Sequence, residues 1–200
     1  MKRIDLDGFA RKFAEDPDPW RTWKNADERL KRAAILHALP SGTSGRMLEL
    51  GAGNGSNSAK LAARALRLDA TEATSEGVRL VRHAIQDRAP RASASQLVAP
   101  AAPPRNTYDA IIIAELLYYL TPRDMQRLAV QVAERLRRGG TLVLAHHRIT
   151  FYDFAQHAEH IHERFLQSSG APWRCRTVRR TGRWIVTQCA RQNVSEAQSS

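Results

Sequence analysis

The chain predicts a doubly wound α/β fold, and three observations carry that expectation. Short apolar runs alternate with amphipathic helical stretches through its middle, the pattern of βαβ units that build a parallel sheet with helices on both faces. The run Tyr-Asp-Ala-Ile-Ile-Ile-Ala at 108–114 suits a central strand buried on both faces. A glycine-rich turn at 51–55 sits between a strand pattern and a helix pattern. A length of 200 residues with 42% hydrophobic content fits one domain with a sizeable core.

The elements follow in order. Residues 1–16 predict a short helix with Ile4, Phe9 and Phe13 apolar, broken by Asp16-Pro17-Asp18-Pro19. Residues 26–39 predict a helix, with Leu30, Ala33, Ala34, Leu36 and Leu39 at helical spacing. After a loop at 40–45 come a strand at 47–50, the glycine turn, a helix at 56–65 and a strand at 66–71. A helix over 75–88 carries Val78, Val81 and Ile85 on one face, and a third, weaker strand falls at 93–98. Beyond the Pro/Ala loop and the 108–114 strand, Thr121 caps a helix that opens at Pro122. That helix is expected to run to about Arg138 and to end at Gly139-Gly140. A strand at 141–145, a helix at 153–167 and two strands around Gly182 complete the expectation. Residues 1–190 read as one domain, residues 1–40 being a helical cap, and 191–200 as a loose polar tail.

Composition narrows the class. The longest apolar run, 110–120, is interrupted by Glu115 and is too short to span a bilayer. The first residues alternate charges and lack the apolar stretch of a secretory signal, so the expected compartment is the cytoplasm. Cys175 and Cys189 flank Gly182 symmetrically, so a hairpin would face them; two buried reduced thiols are expected. The net charge of +11 is spread over the chain and is locally dense only at 174–183. Only Trp173 and Trp184 accompany those arginines, which argues against a nucleic-acid stacking platform.

The segment Glu49-Leu50-Gly51-Ala52-Gly53-Asn54-Gly55 lets the backbone turn sharply and a ligand approach closely. Its spacing is G-x-G-x-G rather than the dinucleotide G-x-G-x-x-G. Glu72, about 20 residues beyond, stands where an acid accepts hydrogen bonds from ribose hydroxyls. Together they point to an adenosine-containing cofactor. Glu115 follows the fourth strand with Tyr118 and Tyr119 behind it, and His146 and His147 end the fifth, all on the ligand-binding edge. A carboxylate can hold an amine, and a neutral imidazole, or Asp153, can take its proton. His157 and His160 could share a helix face while His162 could not, so no metal is expected.

MLELGAGNG, the acid in TEATS and YDAIIIAELLYYL resemble motifs of class I S-adenosylmethionine-dependent methyltransferases. DPDPWRTWKNADERLK and AELLYYL further resemble the NodS family of nodulation N-methyltransferases, a likeness covering about residues 17–145. The resemblance implies a Rossmann-like, mostly parallel seven-stranded sheet with an antiparallel last strand. It implies a cofactor site of Glu49, Gly51, Ala52, Gly53, Asn54, Gly55, Glu72, Ala73, Val98 and Ala114. It also implies that Trp20 and Arg21 fold over the cofactor. In NodS proteins the acceptor is the free amine of a deacetylated sugar on a chitin-like oligosaccharide. Here Val98 stands where the class often carries an acid that contacts adenine; Gln96 or a backbone group is left to substitute.

Methyl transfer from a sulfonium needs alignment more than covalent help. Glu115, His147 and Tyr118 are the expected catalytic residues, and the expected acceptor is a small-molecule or glycan amine. A nucleic-acid methyltransferase is a rival reading. Amino-methylating DNA enzymes typically place Asp/Asn/Ser-Pro-Pro-Tyr/Phe after the fourth strand, unlike Ala114-Glu115-Leu116-Leu117 here. A binding module without turnover is the other. The sequence leaves the oligomeric state open.

Overall fold

Ile111 and Ile113 face one side of the sheet and Ile112 the other, and all three are fully buried. A computed structural model, which describes residues 4–42 and 44–192, builds the fold around this strand. Seven strands, β1 (Ser44–Leu50), β2 (Ala65–Glu72), β3 (Ala92–Gln96), β4 (Tyr108–Ala114), β5 (Leu136–His147), β6 (Trp173–Arg180) and β7 (Trp184–Arg191), form one sheet in the order β3-β2-β1-β4-β5-β7-β6. β1 to β5 pair in parallel, and β7 runs antiparallel to both β5 and β6. This is the Rossmann-like, mostly parallel sheet with an antiparallel last strand that the sequence led us to expect. The strand order reverses direction between β1 and β4, so the loops after them diverge and leave a crevice at their carboxyl ends.

Among the described residues there are six α-helices: α1 (Leu6–Glu15), α2 (Ala26–Ala38), α3 (Ser58–Arg64), α4 (Ser75–Ala84), α5 (Pro122–Arg135) and α6 (Ile161–Ser168). Side-chain oxygens of Asn25, Thr74 and Thr121 cap α2, α4 and α5, with Pro122 in the first turn of α5. One core layer packs Ile35, Leu61, Val78 and Val81 on Met47, Leu68 and Ile112. The other packs Leu128, Val132 and Phe165 on Leu48, Ile111 and Leu144. No helix among the described residues is long and apolar enough to cross a membrane.

Four expectations need correction. The expected 75–88 helix ends at Ala84 and gives way to a 3-10 turn at Gln86–Arg88. Gly139-Gly140 does not stop a helix at 138. α5 ends at Arg135, and β5 begins at Leu136 opposite Tyr108, then pairs again at Thr141 opposite Ala110. The glycines lie inside this bulge: Gly139 has φ +72°, and a Cβ on Gly140 would come within 2.9 Å of the Asp109 carbonyl oxygen. The expected 153–167 helix shrinks to Ile161–Ser168. Upstream, the N–H groups of Ala155 and Gln156 donate to the Tyr118 carbonyl at 2.8 and 3.1 Å instead of starting a helical ladder. His157 and His160 therefore precede the helix and share no helical face. Finally, Cys175 and Cys189 are directly opposed in the β6–β7 register, 4.1 Å apart at Cα, and are joined as a disulfide rather than left as reduced thiols. Of the expected tail, residues 193–200 lie outside the described residues.

Candidate active site

The turn after β1 is built on three left-handed glycines, Gly51 (φ +70°), Gly53 (φ +59°) and Gly55 (φ +82°). A Cβ on Gly53 would meet nothing within 4 Å, so its open side faces the crevice. Gly55 instead lies against α4, where a Cβ would stand 2.7 Å from the Ala84 Cβ and 3.0 Å from the Val81 Cα. Gly55→Ala should destabilise the fold by about 2–4 kcal/mol through left-handed strain and overpacking. A urea midpoint equal to wild type would refute this.

Glu72, 7% exposed, accepts from the Gly53 N–H at 3.0 Å and the Thr74 N–H at 3.2 Å. Burial pushes its pKa up, and these N–H groups pull it back. Glu49 lies behind the turn, fully buried and bonded to Ser58 Oγ at 2.5 Å. Burial raises its pKa to about 7.

The segment before α2 is tied to this turn. Asp18 Oδ1 accepts from the Thr22 N–H at 2.7 Å and from Asn54 Nδ2 at 2.8 Å. Asn54 Nδ2 also reaches the Pro17 carbonyl at 3.3 Å, and Trp20 packs against Phe9 and Phe13. The aromatic side chains of α1 and of this segment thus roof the crevice.

At the other end, Glu115 leaves β4 in the left-handed region, φ +52°. Its carboxylate accepts from the Lys31 ammonium, the Tyr118 hydroxyl and the His147 N–H. Lys31, 3% exposed, also donates to Glu28 at 2.8 Å. Burial disfavours its charge, but Glu115 and Glu28 outweigh that and hold its pKa above the ordinary value. His147 Nδ1 lies 3.3 Å from the Arg183 carbonyl, which can only accept, so Nδ1 carries the proton of the neutral ring. The lone pair is then on Nε2, 3.8 Å from Glu28 and 3.9 Å from Glu115.

A cavity of about 740 Å³ lies between the glycine turn and the Glu115 cluster. It is lined by Trp20, Gly51, Ala52, Gly53, Asn54, Glu72, Ala73, Val98 and Ala114 at one end. Glu28, Lys31, Glu115, Tyr118, Tyr119, His147, Asp153 and Phe154 line the other. Three expected cofactor residues, Arg21, Glu49 and Gly55, do not line it. Gln96 is turned away, its amide donating to the Ala73 carbonyl at 2.9 Å. No local pattern marks Lys31 or Glu28, because Glu115, the partner of Lys31, and His147, which lies 3.8 Å from Glu28, are both far along the chain. Among the described residues, no group of three or more His, Cys, Asp or Glu side chains could hold a metal ion.

A family model described as a methyltransferase domain matches residues 47–140. A search of curated proteins finds no match. Among solved structures, the chain is similar to the N-methyltransferase NodS from Bradyrhizobium japonicum WM9 in complex with S-adenosyl-L-homocysteine. The TM-score is 0.80 at 22% identity, covering 94% of this chain and 98% of that one. It is similar to a putative methyltransferase from Pseudomonas syringae, with TM-score 0.69 at 27% identity over 84% of this chain and 100% of the other. It is also similar to DhpI in its S-adenosylhomocysteine complex, with TM-score 0.72 at 18% identity over 93% and 94% of the two chains. The domain match across the glycine turn, the Glu72 strand and β4, joined to this class I sheet, makes the chain an S-adenosylmethionine-dependent methyltransferase.

Proposed function

We propose that this enzyme N-methylates a small amine, an amino sugar or an oligosaccharide amine being the leading class. The observation that carries the reading is His147, whose Nε2 lone pair faces the cavity between the carboxylates of Glu28 and Glu115. A protonated amine must lose a proton before its nitrogen can attack, and this imidazole can take it. The imidazolium so formed lies 3.8 Å from the Glu28 carboxylate and 3.9 Å from that of Glu115. Glu115, with the Lys31 ammonium, the Tyr118 hydroxyl and the His147 N–H already on its oxygens, serves to hold the amine rather than as the base. Tyr118 orients Glu115, and its ring stacks on Phe154 at 3.6 Å between centroids.

S-adenosylmethionine supplies a methyl group on a sulfonium. Bound there, it would give that methyl to the amine nitrogen and leave as S-adenosylhomocysteine, while His147 Nε2 holds the proton that the ammonium gave up. The residues at the glycine end fit such a cofactor: Gly53 is open to close approach, Glu72 offers a carboxylate for two ribose hydroxyls, and Val98 offers an apolar face for adenine. Glu72→Ala should weaken S-adenosylhomocysteine binding at least about tenfold in calorimetry, and Glu72→Gln less, because one acceptor remains. Equal affinity in all three proteins would remove the ribose assignment.

The reading of the acceptor is tested with glucosamine oligomers and their fully N-acetylated counterparts. The free amines should gain methyl groups on nitrogen, and the acetylated sugars should stay inert. Equal methylation of both would mean transfer to oxygen and would overturn it.

A further inference from the structure

Two buried histidines have no part in the steps above. His146 is fully buried at the end of β5, and His162, 7% exposed, sits in the first turn of α6. The last ladder bond of β4 runs from the Glu115 N–H to the Ala145 carbonyl at 2.9 Å. The next two N–H groups, of Leu116 and Leu117, both point at His146 Nε2, at 3.3 and 3.2 Å. A ring nitrogen receiving N–H groups must carry a lone pair, so the His146 proton is on Nδ1. Nδ1 lies 2.9 Å from His162 Nε2, which must therefore accept, leaving the His162 proton on its own Nδ1. That nitrogen lies 2.9 Å from Thr187 Oγ1 on β7. Each bond thus fixes the sense of the next, and the bonds polarise one another in one direction.

We infer that His146, His162 and Thr187 form a one-way hydrogen-bond chain that positions Glu115, so that His146 and His162 are positioning residues for the acceptor. The inference rests on the assignment of Glu115 to the acceptor site. Its physical basis is the backbone there. A non-glycine residue at φ +52° is strained and persists only where its surroundings hold it. The chain anchors the two residues that follow to α6 and β7. Burial, with the neighbouring His162, Lys31 and His147, keeps His146 far below its ordinary pKa, and burial takes His162 to about 3. Both rings stay neutral at working pH, so the tie does not switch off.

Two measurements test this. Nitrogen-15 NMR of the wild-type imidazoles at pH 7 should find both histidines neutral and protonated on Nδ1. A proton on Nε2 of His146 overturns the chain without touching the acceptor assignment. In parallel, His146→Leu should lower kcat about tenfold or more, because a small misplacement near the reacting atoms is costly. S-adenosylhomocysteine affinity should stay within about twofold of wild type. His146→Gln keeps an acceptor oxygen near the Nε2 position and should recover most of that loss, which a purely structural role would not predict. Equal kcat in the Leu and Gln variants overturns the inference. Glu115→Gln in the same assay separates the two claims: wild-type turnover there removes the acceptor assignment and the inference with it.

Discussion

His147→Gln should lower turnover with an amine acceptor by about 100-fold at pH 7, within the range that a positioned general base contributes. Cofactor affinity should be unchanged, since His147 stands at the acceptor end of the cavity. The deficit should shrink as pH rises, because solvent then deprotonates the amine and the missing imidazole matters less. A pH series of kcat for both proteins checks this. A loss that stays constant from pH 6 to pH 10 would assign His147 a packing role, for which its edge-on contact with Phe151 at 5.6 Å would be the cause.

Glu49→Gln should change the pH dependence of stability rather than the chemistry. Burial raises the Glu49 pKa from 4.5 to about 7; the nearby Glu72 charge adds to the rise, and Ser58 and Arg32 oppose it. Between those values the folded protein holds a proton that the unfolded chain has lost, so this residue makes stability fall as pH rises through that window. The full effect is about 3 kcal/mol. Glutamine removes the titration. The variant should therefore match wild type near pH 4 and exceed it at pH 8, by several degrees in melting temperature. Parallel curves across that range would show that Glu49 ionises inside the fold without penalty.

Local signals made the cofactor end legible. The isoleucine run named the central strand, and glycines beside a strand end with an acid about 20 residues on named the turn and its partner. The acceptor end was legible only in part. Glu115 and Tyr118 follow a strand and His147 ends one, and so they declare their edge of the sheet. α2, in contrast, read as an ordinary amphipathic helix with Leu30 inward, yet Leu30 is 45% exposed while Lys31 is buried. Lys31 turns inward because Glu115 and Glu28 compensate its charge, and no local periodicity reports a partner in another element. The 153–167 helix failed for a similar reason: the Tyr118 carbonyl, remote in sequence, claims the N–H groups that a helix would have used.

α2 is also fastened to the other end of the chain, the Trp184 indole N–H donating to Asp27 at 2.8 Å and Arg183 lying 3.6 Å from the same carboxylate. Glu28, Lys31 and His147 all fall outside residues 47–140, whereas Gly51, Gly53 and Glu72 fall within. Part of the cavity thus rests on polypeptide outside the matched domain, although Glu115 and Tyr118 lie within it. Exchange of Glu28, Lys31 or His147 is therefore expected to alter the use of the acceptor proposed above while leaving the Gly53 and Glu72 end of the cavity as it is.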